Sequence, residues 1–93
     1  MELKISHVFT VKLNSQIEFI AQHRPNVARK FKVEVFKALK SIPKAPLKHR
    51  KSIFFDSVEI RDLVIKNHIV VYKIDKEKNQ ILVFGLVYNQ GGV

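Results

Sequence analysis

The 93-residue chain carries 17 Lys and Arg against 8 Asp and Glu, a net charge of +9, and 46% of it is hydrophobic. That length holds one core, and the apolar share argues against disorder. With no cysteine, a disulfide framework, a thiolate metal site and a cysteine nucleophile are excluded.

Glu2 to Ile5 reads as a short first strand, with Leu3 and Ile5 on one side. Ser6 suits a helix N-cap, because its hydroxyl can accept from an orphan backbone N–H. Phe9, Leu13, Ile17 and Ile20 then recur at helical spacing. This helix should end near His23, since Pro25 disfavours helical geometry in the residue before it. Pro25 also suits the first turn of a second helix. There Ala28, Phe31, Val35, Ala38, Leu39 and Ile42 share one arc, and Pro43 stops the run. After the basic, Pro46-containing loop Lys44–Lys51, the pattern changes to β-rich runs. Strands are expected at Ser52–Phe55, Val58–Lys66, His68–Asp75 and Gln80–Tyr88, with turns at Asp56-Ser57, Lys66-Asn67 and Lys76–Asn79. Asn tolerates a left-handed backbone, so Lys66-Asn67 fits a two-residue hairpin loop. The expected architecture is α+β: a short N-terminal strand and a two-helix antiparallel hairpin packed on a mainly antiparallel C-terminal sheet. One domain spans 1–93, with 89–93 as a flexible tail. The runs LVI, IVVY and ILVF are too apolar for a sheet wet on one side, so the face away from the helices should meet a partner or the chain's own tail.

The charge is concentrated. Between Arg24 and Lys51 stand ten basic residues and one acidic residue, Glu34. The other seven basic and seven acidic residues cancel, so the whole excess lies in this segment. Such a field steers toward a polyanion or an acidic protein. At about 100° per residue, Arg29, Lys30, Lys37 and Lys40 fall opposite the core arc of the second helix. Val33 sits among them and Phe36 on the flank. A basic face with an apolar centre suits an acidic amphipathic partner; a solvated surface with one stray hydrophobe is the plainer alternative. Lys48, Arg50 and Lys51 extend the basic surface. Direct nucleic-acid readout would need aromatics interleaved with the cations. Only Phe31 and Phe36 are present there, and Phe31 points to the core.

No apolar run approaches the roughly 18 residues a membrane span needs, and the start lacks the layout of a secretion signal. A cytoplasmic protein without membrane contact is expected. The four histidines show no metal-ligand spacing, so no metal or other cofactor is expected.

The element order resembles the RelE/ParE superfamily, the toxins of type II toxin–antitoxin modules. The likeness rests on Pro25–Phe31 as a Pro-x-x-Ala-x-x-Phe helix opening, Leu39–Pro43 as its end, Ile60–Leu63, Lys66-Asn67 and Ile69–Asp75 with Tyr72 as a strand–turn–strand, and Ile81–Tyr88 as the last strand. It implies a toxin held by a cognate acidic antitoxin. The target is DNA gyrase in one branch; in the other it is the translating ribosome, where mRNA is cut. Such cleavage needs a base for the 2′-hydroxyl, cations for the charged phosphorane and an acid for the leaving oxygen. Weak candidates are Arg61, Lys66, His68 and Tyr88. The Tyr-Arg that follows the turn in nuclease members is His68-Ile69 here. Asp62 stands where a cation would help, and Gly85 where the last strand often carries arginine. These departures favour the gyrase-directed, non-nuclease branch over a ribosome-dependent endoribonuclease or a non-enzymatic basic nucleic-acid-binding module. Each candidate also has a structural reading: Arg61 as the partner of Asp62, Glu59 or the terminal carboxylate, His68 as a solvated hairpin end, Tyr72 as core, Tyr88 as an edge residue.

Overall fold

A computed structural model describes residues 1–88; the tail expected at 89–93 lies outside them. Strand β1 (Glu2–Ile5) leads into helices α1 (His7–Ala21) and α2 (Pro25–Ser41). A 3-10 turn (Ile42–Lys44) follows, then β2 (Arg50–Lys51), β3 (Ile60–Ile65), β4 (His68–Asp75) and β5 (Gln80–Tyr88). The five strands form one sheet in the order β1-β5-β4-β3-β2, antiparallel except for β1 against β5. The fold is α+β, with a helical hairpin on one face of the sheet.

The local signals act as their chemistry dictates. Ser6 caps α1 by accepting from the Phe9 N–H at 3.1 Å, and Pro25 occupies the first turn of α2. Both helices bury one stripe. Phe9 and Leu13 of α1 meet Phe31, Val35 and Leu39 of α2 above Leu63, Val70, Tyr72, Ile74, Ile81, Val83 and Leu86. With Ile65, eight of the core side chains come from β3–β5, so the sheet and the hairpin bury each other's apolar faces.

Two local expectations are corrected. Ser52–Phe55 is not a strand; the pairing residues are Arg50 and Lys51, opposite Asp62 and Arg61. Side chains capture the backbone immediately afterwards: Ser52 Oγ accepts from the Phe54 N–H at 3.1 Å, and Asp62 Oδ2 from the Ile53 N–H at 3.0 Å. Such bonds compete with a ladder. In the β3–β4 turn, the left-handed residue is Lys66, with φ 53°, and not Asn67.

A bulge sets which face the end of β5 presents. Val71 pairs with Gly85 and Tyr72 with Val83, leaving Phe84 as the extra residue. Beyond it, Leu86 joins the core, while Gly85 backs onto Val71, where an added Cβ would come within 3.1 Å of the Val71 Cβ. The sheet face away from the helices meets part of the chain's own 52–59 loop, with the Phe55 ring 5.7 Å from Phe84.

Candidate functional site

The α2 cations stand as the helical spacing places them. Arg29, Lys30, Lys37 and Lys40 are exposed, and Val33 among them is 66% exposed. Phe36 is 41% exposed on the flank. Arg29, Lys30, Val33 and Glu34 outline a shallow depression on this face. Arg29 also donates to the side chain of Asn26. Glu34, the only acidic residue in the segment, turns to Lys66 at 3.3 Å, and among the described residues it forms no ion pair with a basic neighbour on α2. Lys48 and Lys51 are exposed on the loop. Arg50 differs from them: it is half-buried, and its guanidinium lies 3.7 Å from the carboxylate of Asp62, whose side chain is fully buried. Asp62 holds the Ile53 amide and draws in Arg50, which makes it the organiser of the loop. The sequence showed it only as a misplaced charge.

The four weak catalytic candidates fall in two places. Arg61 pairs across the ladder with Tyr72, and His68 with Ile65. Four ladder positions separate them, about 13 Å at the usual strand rise. Among the described residues, Arg61 takes no carboxylate partner. Its Nε donates to the Val58 carbonyl at 3.0 Å and its Nη1 to the His49 carbonyl at 3.2 Å, bracing the two ends of the loop. Beside it, Tyr72 is fully buried and donates to the Pro46 carbonyl. Burial pushes its phenol up to about 12, although nearby Arg61 pulls the other way. His49, edge-on to the Tyr72 ring, is held below the usual histidine range by burial and by Lys48.

Lys66, His68 and Tyr88 gather at the other end, around a cleft of about 530 Å³ between the end of α1, the first half of α2 and the β3–β4 turn. His68 is not solvated. It is 5% exposed, with the Phe31 ring 4.4 Å away and the Tyr88 ring 5.0 Å away. Burial lowers its pKa, so the imidazole is held neutral. Its Nε2 is buried and finds no hydrogen-bond partner among the described residues. Arg24 and Lys30 add cations to this cleft, and Phe19 and Val27 add exposed apolar surface. The sequence reading missed Phe19 and Val27; both sit off the core stripes of their helices, which is the signal that could have found them. Tyr88 points into this helix-side cleft, whereas Gly85 faces the opposite side of the sheet.

Among the described residues, no three His, Cys, Asp or Glu side chains gather as a metal site, and no helix is long and apolar enough to cross a membrane. No curated protein matches the chain. The model of one family, described as ParE toxin of type II toxin-antitoxin system, parDE, matches residues 3–88. That match spans nearly the whole chain and every element of the fold: the chain belongs to the ParE toxin family of type II toxin–antitoxin systems.

Proposed function

We propose that this toxin arrests growth by acting on DNA gyrase without nuclease chemistry, and that an acidic antitoxin neutralises it at the basic face of α2. The observation that carries the first half is the separation of Arg61 from the other candidate nuclease groups, together with the burial of His68. Arg61 is spent on two backbone carbonyls about 13 Å from His68 by strand rise. His68 lies under two aromatic rings with its Nε2 buried. A 2′-hydroxyl nucleophile needs a reachable base and a cation at the same phosphate; the carboxylate beside Lys66, that of Glu34 at 3.3 Å, is engaged in an ion pair with it. The second half is supported by the exposed α2 cations around Val33, which fit an amphipathic acidic segment.

Endoribonuclease action is the second reading. Its support is that Arg24, Lys30, Lys66 and Tyr88 share one cleft. Purified toxin added to a gyrase supercoiling reaction and, separately, to a translating extract distinguishes the two. Loss of supercoiling with intact mRNA is expected; cut mRNA with undisturbed gyrase overturns the proposal. Charge reversal at Lys30 and Lys37 should weaken capture by the antitoxin encoded beside the gene, and unchanged capture would reject the α2 face as its site.

A further inference from the structure

The sheet ends on two edges of different kinds. At one, β2 offers two residues, both basic. At the other, β1 is a regular four-residue strand, ELKI, without proline or glycine. Its inner side is engaged: the Glu2 N–H donates to Asn79 O at 3.0 Å and the Ser6 N–H to Val83 O at 2.9 Å, with Glu2 to Ile5 in register against Gln80 to Val83. Backbone groups alternate sides along a strand, so Glu2, Lys4 and Ser6 face β5. The N–H and C=O of Leu3 and Ile5 therefore point away from the sheet, along an edge able to take another strand.

We propose that β1 pairs antiparallel with β1 of a second copy of this chain, about a two-fold axis through Leu3, joining two sheets into one. Charge selects this register. Outward-facing residues must oppose each other, so Leu3 and Ile5 can pair only with odd-numbered positions. Centring on Leu3 sets Glu2 against Lys4 of the copy on both sides of the axis, and Ile5 against Met1. Centring on Lys4 sets two lysines directly opposite, which is destabilising. In the Leu3-centred pairing, Leu3 meets its copy in the hydrogen-bonded position. The Glu2–Lys4 pairs then take the closer, non-hydrogen-bonded positions. Glu2 and Lys4 already meet within one strand at 2.6 Å, both exposed, so exchanging partners across the axis costs little. Leu3 packs at the margin of the core, and Ile5 and Met1 are 42% and 39% exposed; pairing extends the apolar face over them. The side chains of Glu2–Ile5 carry no net charge. The net charge of +9 opposes association at long range, and salt near 0.15 M screens it beyond about 8 Å.

Sedimentation of the purified chain over a concentration series tests this, with circular dichroism confirming that each variant is folded. The wild type should pass from monomer to dimer. Glu2→Lys and Lys4→Glu should each weaken self-association by at least about tenfold, since both cross-axis pairs become like-charged. Mixing the two variants should give a 1:1 dimer, and the double exchange E2K/K4E should restore self-association. A wild type that stays monomeric throughout overturns the proposal, as does a dimer that survives either single reversal.

Discussion

The Tyr72 hydroxyl donates a hydrogen bond to the carbonyl of Pro46, 26 residues upstream. It fastens the basic loop to the middle of the sheet. Together with Arg61 on His49 and Val58, and Asp62 on Ile53, it explains why a segment with one two-residue strand between Ala45 and Glu59 has a definite path.

Tyr72→Phe should cost about 1 kcal/mol, the usual net worth of one hydrogen bond. Denaturant unfolding measures the loss. Hydrogen exchange should show it concentrated in the loop around Pro46, with the β4–β5 ladder still protected. An unchanged loop would mean that the tyrosine acts only as core.

The raised pKa of Tyr72, about 12, gives alkaline sensitivity. The unfolded phenol ionises near 10, so the unfolded chain loses its proton first. The stability tied to this group is present below pH 10 and is lost as pH rises toward 12. Unfolding midpoints across that window should fall in the wild type and fall less in Tyr72→Phe.

His68 acts at the acid end. Its pKa is lowered by burial, so below about 6.5 the unfolded chain binds the proton more readily. The associated stability is present above that value and lost as pH falls through it. His68→Phe keeps an aromatic ring between Phe31 and Tyr88 and should flatten the loss between pH 7 and 5. His49, also lowered, should account for what remains. An unaltered acid limb in the variant would remove His68 from this role.

Asp62→Ala should lose about 3 kcal/mol, because it strands Arg50 and frees the Ile53 amide. Asp62→Asn keeps one acceptor and should lose about 1–2 kcal/mol. The Ile53 amide exchange rate reads the cause directly: it should rise more in the alanine variant than in the asparagine one.

Lys66→Gly should stabilise the fold by about 0.5 kcal/mol. Relief of the left-handed backbone gives about 1 kcal/mol, and loss of the exposed pair with Glu34 takes back about half of that. Glu34→Gln loses the pair alone and should shift the unfolding midpoint slightly downward. A destabilised Lys66→Gly would show that the turn does not strain the lysine.

Helix α1, helix α2, β4 and β5 were legible because their periodicities are local: one stripe every three or four residues, or an unbroken β-branched run, needs no distant partner to be read. The α2 charge face followed from the same geometry. The Ser52–Phe55 segment misled because its IFF run has strand character, while the bonds that divert it come from Asp62, nine residues on. His68 misled because a turn-flanking histidine reads as wet, and only α2, packed across the sheet, brings Phe31 over it.

The sequence by itself determined the α+β order, the capped and proline-started helices and the one-sided charge, because each depends on neighbours within a turn or two along the chain. Tertiary structure alone decided that Arg61 and His68 lie at opposite ends of one face, that the bulge at Phe84 turns Gly85 away from Tyr88, and that Asp62 anchors a loop. Those outcomes depend on strand register and on contacts between segments far apart in sequence, where a shift of one residue exchanges the two faces of a strand.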